Sequence, residues 1–177
     1  MYDYLIIGHG LAGAILSREL LDKGKKVLVF NEPSLNSASL VAGGLYNPIT
    51  GRKMVKTWNA DNTFPLIEPY YRSFEQKLRV KTLYDIGIYR PFLNVEEQNE
   101  WQGKAALDSY SPYVEKVYLS SRRQFKLNDE FGGIQLKQAG YVDTNALINA
   151  NKKLLVSKGI YQELMFNESE LENSLES

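Results

Sequence analysis

Three glycines spaced as GxGxxG directly follow a short apolar run at the start of the chain. The run, Tyr4–Ile7, is large and partly β-branched, which is typical of a strand in a parallel sheet. After the glycines at 8, 10 and 13, apolar residues recur at helical spacing. Lys23 and Gly24 then mark the predicted end of this helix, and a second apolar run, KKVLVF, follows them. This order of strand, glycine turn, helix and strand predicts a βαβ unit.

The spacing gives each glycine a physical role. Gly8 allows the tight turn, Gly10 lets a pyrophosphate approach the backbone, and Gly13 lets the helix pack close to the strand. The helix N-terminus then offers unpaired N–H groups and a partial positive charge to phosphates. The motif therefore predicts a dinucleotide site, and the alternative is a βαβ unit whose glycines serve only packing.

The residue that contacts the adenosine ribose is left open by the sequence. In such sites an acidic residue usually ends the second strand and accepts hydrogen bonds from the ribose. Here Asn31 occupies that position and Glu32 follows it. Either side chain can accept from a ribose hydroxyl. No arginine stands beside them, so the 2′-phosphate of NADP has no evident partner.

Small residues follow the second strand, where an NAD-binding domain normally continues into another helix and strand. These residues are Ser37, Ala38, Ser39, Ala42, Gly43 and Gly44. A row of small side chains lets the backbone lie flat against a broad planar group such as a flavin ring. The alternative is a flexible loop.

The stretches YLIIGHGLAGAILSREL and SASLVAGGL resemble the N-terminal half of the FAD-dependent D-amino-acid oxidase/glycine oxidase superfamily. Downstream, AGYVDTNALINANKKLLVSKG is similar to the segment that returns from the substrate domain to the FAD domain in that family. The resemblance therefore covers Met1 to about Phe166. It implies an α/β fold: a Rossmann-like FAD-binding domain of the GR2 type with a βαβ start, and part of an α+β substrate domain, apparently truncated.

The resemblance implies an FAD-dependent oxidoreductase that acts on the C–N bond of a small amine or amino acid by hydride transfer to flavin. The alternative is a non-catalytic nucleotide-binding or assembly module that works with a partner chain. Because the chain has no cysteine and its single histidine, His9, lies in the glycine motif, we expect FAD to bind non-covalently. The sequence has no counterpart of the C-terminal half of the family's members. We therefore expect this chain alone not to be a competent oxidase, unless a partner chain supplies that half.

By position, the resemblance assigns residues to each part of the cofactor. The residues expected to contact the pyrophosphate are Gly8, Gly10, Leu11, Ala12 and Gly13, and Asn31 or Glu32 is expected to contact the ribose. The residues expected along the flavin side are Ser37, Ala38, Ser39, Ala42, Gly43, Gly44 and Leu45. Arg52 and Arg90 are weaker candidates for an anionic substrate group, with a solvated loop and a salt bridge as their alternatives. The sequence identifies no catalytic side chain and no metal site.

Composition excludes several other classes of function. Lys plus Arg and Asp plus Glu both number 21, so the zero net charge gives no support for binding nucleic acid. No apolar run approaches the ~20 residues that a membrane span needs. Without cysteine and with one histidine, the sequence has no disulfide, no thiolate metal site and no multi-histidine metal cluster. We expect a cytoplasmic protein.

The sequence pattern predicts three parts along the chain. These are an FAD-binding part at 1–80, the start of a substrate domain at 81–139, and an incomplete segment at 140–177 that returns to the FAD-binding domain. We expect helical segments on either side of Pro65 and Pro69, and one strand over KTLYDIGIYRPF. Asn94 caps a further predicted helix, and Asp143 or Thr144 caps another that ends at Ser157. GIYQELMF is predicted to return to the first sheet, before a polar, acidic tail.

Overall fold

The computed structural model describes residues 1–32, 37–123 and 127–166. In chain order its helices and strands are β1 (Tyr4–Ile7), α1 (Leu11–Asp22), β2 (Val27–Asn31), α2 (Ala38–Val41), β3 (Leu45–Tyr46), β4 (Ile49–Thr50), β5 (Val55–Lys56), α3 (Ala60–Leu78), β6 (Leu83–Tyr84), β7 (Ile88–Pro91), α4 (Val95–Lys104), β8 (Val114–Tyr118), β9 (Gly133–Leu136), β10 (Gly140–Val142), α5 (Thr144–Ser157) and β11 (Tyr161–Glu163).

The chain divides into two compact units, and the first is built on the βαβ unit. It contains residues 1–44, 75–82 and those from 143 onward. Its strands form a parallel sheet in the order β1-β2-β11, with Tyr4 opposite Val27. The predicted strand, glycine turn, helix and strand are confirmed, and so is the return of GIYQELMF to the first sheet.

One face of this parallel sheet carries the core of the first unit. Ile6, Val27 and Val29 are buried there with Leu155 of α5, and α1 packs on the same cluster through Leu20. Alternate residues of a strand point to opposite faces, so the neighbours of Ile6 along β1 lie on the other face of the sheet.

The second unit contains residues 45–74 and 83–142 and is built from antiparallel strands. Three small sheets are present among its described residues, in the orders β3-β10-β6, β4-β5 and β7-β9-β8. The core includes Trp101, Phe92 and Tyr113, packed against Ile134 and Leu136 of β9. The chain therefore combines a parallel α/β part with an α+β part, as the predicted fold class requires.

Two local predictions were wrong. The strand predicted over KTLYDIGIYRPF is split into β6 and β7 by Gly87, which has a φ of +68° and lies so close to β9 that a Cβ there would stand 2.8 Å from the carbonyl oxygen of Leu136. The segment around Pro65 and Pro69 is one continuous helix, α3. Both prolines are exposed, and each removes one N–H donor without ending the 19-residue helix.

Both predicted helix caps are present. The Asn94 side chain accepts a hydrogen bond from the backbone N–H of Glu97 at 2.8 Å, and Asp143, rather than Thr144, accepts from the N–H of Ala146 at 2.8 Å. The division into an FAD-binding part at 1–80 and 140–177 and a substrate-binding part at 81–139 is a statement about function. It stays a prediction. The acidic tail lies outside the described residues.

The described part of the chain holds neither a candidate membrane span nor a candidate metal cluster. No helix there is long and apolar enough to cross a membrane. In the same residues, no group of three or more His, Asp or Glu side chains is arranged to hold a metal ion.

Candidate functional site

The glycine turn between β1 and α1 has the geometry that its three glycines permit. Gly8 adopts a φ of +93°, a conformation that glycine favours, and a Cβ there would meet nothing within 4 Å, so the space beside the turn is open. A Cβ at Gly13 would lie 2.0 Å from the carbonyl oxygen of Gly8. The first turn of α1 therefore packs directly on the backbone of the glycine turn, as the motif predicts.

At the N-terminus of α1, beside this turn, only some of the backbone N–H groups have hydrogen-bond acceptors. The hydroxyl of Ser39, on α2, accepts a hydrogen bond from the N–H of Leu11 at 3.0 Å. The helical bonds begin with Ala14, whose N–H donates to the carbonyl of Gly10 at 2.9 Å. The N–H groups of Ala12 and Gly13 precede that bond and have no carbonyl one turn back, so they carry the partial positive charge of the helix end.

A cleft of about 220 Å³ opens beside the turn. From the N-terminal segment it is lined by His9, Gly10, Asn31, Glu32, Ser37 and Leu40, and from α5 and β11 by Ile148, Asn149, Lys152 and Tyr161. Four of the residues predicted from sequence therefore meet in one cleft, at the end of β2 where a dinucleotide ribose is expected.

The other residues predicted for the flavin side of the cofactor do not line this cleft. The hydroxyl of Ser39 is bonded to the N–H of Leu11 at the start of α1, and its contact with the flavin stays a prediction. Ala38, Ala42 and Gly43 are exposed, Gly44 has a φ of +64°, and Leu45 is exposed on β3 in the second unit. None of these five lines the cleft.

The side chain of Asn31 is engaged by the glycine turn itself. Its Oδ1 accepts from the backbone N–H of His9 at 2.8 Å, and its Nδ2 donates to the carbonyl of Glu32 at 3.2 Å. The amide therefore ties the end of β2 to the turn. The exposed carboxylate of Glu32 lies on the same cleft and can accept hydrogen bonds from a ligand there.

His9 is buried beneath the turn, with 4 % of its surface exposed. Its Nε2 lies 3.0 Å from Nδ2 of Asn151, and the same amide group lies 2.9 Å from the Ser17 hydroxyl. The ring also packs edge-on against Tyr161 at 5.3 Å. Burial first, and then the charge of Lys152, lower the pKa of His9 from 6.5 to about 4. The imidazole is therefore neutral at neutral pH.

The residues of α5 and β11 that line the cleft were missed by the sequence analysis. Lys152 brings a positive charge to the cleft; it is ion-paired with Glu163 at 2.5 Å and lies 5.2 Å from the centre of the Tyr161 ring. The hydrogen bond that Lys152 donates to the carboxylate of Glu163 raises the pKa of Lys152, so this charge persists through neutral pH. The sequence pointed to these residues only indirectly. The last strand was predicted to return to the first sheet, and this return brings α5 beside α1.

The two arginines suggested for an anionic substrate group lie in the second unit. Arg90 forms an ion pair with Glu97 at 2.7 Å and also donates to the backbone carbonyl of Arg52 at 3.3 Å. Arg52 is exposed, beside a surface cleft that Glu96 and Glu100 also line. Arg90 thus has the salt bridge that the sequence analysis gave as the alternative, and a substrate role for either arginine stays a prediction.

The burial of His9 predicts a dependence of stability on pH. Because the unfolded chain binds a proton at the ordinary pKa of 6.5 and the folded chain only near 4, the contribution of the neutral ring is complete above pH 6.5 and is lost as the pH falls towards 4. At about 1.4 kcal/mol per pKa unit, the loss is on the order of 3 kcal/mol. Urea unfolding across this range should show it.

His9→Gln is the control for this effect, because the glutamine amide can still form a hydrogen bond with Asn151 and does not titrate. The free energies of unfolding of the wild type and the variant should converge between pH 6.5 and 4. If the two curves stay parallel through that range, His9 is not buried in its neutral form.

Comparison with known proteins shows the fold. No protein-family model matches the chain. Among solved structures, glycine oxidase from Bacillus cereus superposes with a TM-score of 0.69 at 19% identity, over 95% of this chain and 49% of that one. Iminodiacetate oxidase from a Chelativorans species gives 0.65 at 18%, over 93% and 48%. L-amino acid deaminase from Proteus myxofaciens gives 0.66 at 12%, over 92% and 37%.

The chain thus has the fold of the N-terminal part of these enzymes, as the resemblance in sequence implied. It spans about half the length of the oxidases that it matches. At these identities the likeness establishes the architecture and leaves the activity open.

Proposed function

We propose that the chain is the FAD-binding N-terminal part of an oxidoreductase that acts on the C–N bond of an amine or amino acid. The observation that carries the proposal is the open glycine turn at the N-terminus of α1, with Glu32 on the cleft beside it. An anion-binding helix end next to a ribose-binding carboxylate is the arrangement by which such folds hold a dinucleotide. The shared fold with amino-acid oxidases directs the choice towards a flavin.

In this proposal the pyrophosphate lies against Gly8 and Gly10 and accepts hydrogen bonds from the helix N-terminus. The N–H of Leu11 is already bonded to Ser39, so the donors are the N–H groups of Ala12 and Gly13. The open space beside Gly8 fits the approach of a phosphate to the backbone. Lys152, which also lines the cleft, adds a positive charge that complements the phosphates.

Glu32 is proposed to hold the ribose hydroxyls, because the amide of Asn31 is bonded to the glycine turn. We expect Glu32→Ala to weaken FAD binding by about tenfold or more, since hydrogen bonds to a charged group contribute about 1.5–3 kcal/mol. Because the carboxylate is exposed, the thermal stability of the variant without cofactor should be unchanged. Asn31→Ala should instead lower that stability by about 1 kcal/mol or more.

The measurement is FAD titration followed by fluorescence, together with thermal unfolding of the free proteins. Glu115→Ala, which removes an exposed carboxylate from β8, is the matched control and should change neither quantity. If Asn31→Ala weakens FAD binding at unchanged stability, and Glu32→Ala has no effect, the ribose contact is Asn31.

The flavin end of the cofactor is proposed to follow the small residues after the cleft: Ser37, Ala38, Ala42, Gly43, Gly44 and Leu45. With no cysteine in the chain and His9 buried in its bond to Asn151, we propose non-covalent binding. When bound, FAD supplies the acceptor for the hydride that leaves the carbon beside the amine nitrogen. The proposed substrate is a small amine or amino acid, in a protein of the cytoplasm.

The alternative is a non-catalytic nucleotide-binding or assembly module that works with a partner chain. It requires only the open glycine turn and the cleft beside it, and no substrate site. Both functions use the glycine turn, and amine-dependent reduction of bound flavin separates them. Reduction by an amino acid supports the oxidoreductase, and flavin or ADP binding without reduction supports the module.

A further inference from the structure

A buried asparagine on α5 connects the glycine turn with α1. Asn151 is fully buried, and its Nδ2 lies 3.0 Å from Nε2 of His9. The same Nδ2 lies 2.9 Å from the hydroxyl of Ser17 and 3.2 Å from the carbonyl oxygen of Ala14, both on α1. One side-chain amide therefore contacts the turn and the helix that follows it.

The oxygen of this amide is buried without a partner. Among the described residues, no hydrogen-bond donor reaches Oδ1 of Asn151. A buried polar atom without a partner lowers stability, and a leucine at this position would avoid that cost. Stability alone therefore does not explain an asparagine here. Of the contacts that its amide makes, the one with His9 reaches a residue that lines the nucleotide cleft.

His9 is held from two sides, and it lies between the two glycines that a pyrophosphate would approach. Its backbone N–H donates to Oδ1 of Asn31 at 2.8 Å. Its ring contacts Asn151 on α5 and packs edge-on against Tyr161 of β11. Glycines allow the conformation of the turn, but they also leave the backbone more freedom than other residues do. Anchoring the residue between them fixes the turn before a ligand arrives, which reduces the entropy lost on binding.

We propose that Asn151 is a positioning residue for the nucleotide site, which acts through His9 to hold the glycine turn in the conformation that receives the pyrophosphate. The effect on binding rests on the proposed function, whereas the effect on the turn does not. Because the two residues are 142 positions apart, the turn is held by a part of the chain that lies outside the glycine motif.

Asn151→Ala removes the amide, and titration with FAD followed by fluorescence, repeated with ADP, measures the effect on binding. We expect both nucleotides to bind about tenfold more weakly, because the ring of His9 loses the partner that orients it. Leu155→Ala is the matched control, since it removes a fully buried side chain one turn further along α5 that packs on the apolar core of β1 and β2. It should lower the melting temperature at least as much and leave both affinities unchanged.

Hydrogen exchange in the absence of any ligand tests the effect on the turn. The exchange rate of the His9 amide, which donates to Asn31, is compared by NMR with that of the Val29 amide within the sheet. Asn151→Ala should raise the ratio of these rates by about tenfold through local opening of the turn, whereas Leu155→Ala should not raise it. Should Asn151→Ala not fold, Asn151→Leu, which fills the space without the amide, takes its place.

Two further variants separate an action through the turn from an action through α1. Ser17→Ala removes one contact between the amide and α1 and should leave the affinity for FAD unchanged. In a protein that already carries His9→Ala, Asn151→Ala should cause no further loss of affinity, because the effects of two residues that act through one contact are not additive.

The proposal is overturned if Asn151→Ala leaves either the affinity or the exchange ratio unchanged, or if Leu155→Ala or Ser17→Ala weakens binding equally. It is also overturned if the losses caused by His9→Ala and Asn151→Ala multiply in the double variant. A wild-type protein that binds neither FAD nor ADP would contradict the proposed function, and the exchange ratio would then decide alone whether Asn151 holds the turn.

Discussion

Gly13→Ala should destabilise the chain by about 3 kcal/mol or more, because the new methyl would stand 2.0 Å from the backbone carbonyl oxygen of Gly8. Neither atom is at the end of a flexible side chain, so α1 must move away from the glycine turn. For a protein of this size, a loss of that magnitude lowers the melting temperature by roughly 6–12 °C. The same movement displaces the helix N-terminus from the cleft, so affinity for FAD should fall as well.

Circular dichroism during heating measures the first effect, and hydrogen exchange in α1 and β1 locates it in the first unit. Gly103→Ala is the matched control, since a Cβ at this position on α4 meets nothing within 4 Å. The control should be neutral, or stabilising by up to about 1 kcal/mol, because alanine is the better helix former. A Gly13→Ala variant as stable as this control would mean that α1 does not pack on the turn as described.

Gly10→Val should remove FAD binding while leaving the fold in place. Gly10 has an extended backbone, with φ −75° and ψ −167°, which valine adopts without strain. Its Cβ would approach only the Ser39 hydroxyl, at 2.9 Å, and that side chain can turn aside. The branched side chain would then occupy the place where a phosphate must approach the backbone. We expect at least a hundredfold loss of affinity, or about 2.7 kcal/mol.

Ser39→Ala separates this loss from the loss of the helix cap. It removes the acceptor for the Leu11 N–H without adding bulk at the turn, so it should cost about 1 kcal/mol of stability and only a small part of the affinity. FAD titration of both variants and the wild type makes the comparison. Unchanged affinity in Gly10→Val would place the cofactor somewhere other than the glycine turn.

The backbone of the candidate site could be predicted from sequence because its determinants are local. The apolar run of β1, the three glycines and the helical spacing of α1 lie within twenty residues of one another, and the structure has the turn that they specify. The small-residue stretch was less informative. Its residues Ala38–Val41 form one turn of helix, and Ser39 caps a different helix, because the bonding partner of a serine is set by tertiary contacts and not by its neighbours in the chain.

The side chains that complete the cleft could not be predicted, because they come from distant parts of the chain. Asn151 meets His9 across 142 positions, and Lys152 enters the cleft only because α5 packs beside α1. Asn31 was correctly predicted at the end of β2. Its position in the sequence does not indicate that its side-chain amide would form a hydrogen bond with the glycine turn. The break at Gly87 likewise depends on the close approach of β9, which a strand-like sequence does not reveal.

The glycine turn of this chain is proposed to bind the nucleotide part of FAD. The most direct measurement is the visible absorption spectrum of the purified chain after incubation with FAD and gel filtration, repeated with excess ADP as competitor. We expect flavin absorption to elute with the wild-type protein, to be lost with ADP, and to be absent from Gly10→Val. A wild-type chain that stays colourless with FAD and also fails to bind ADP would contradict it.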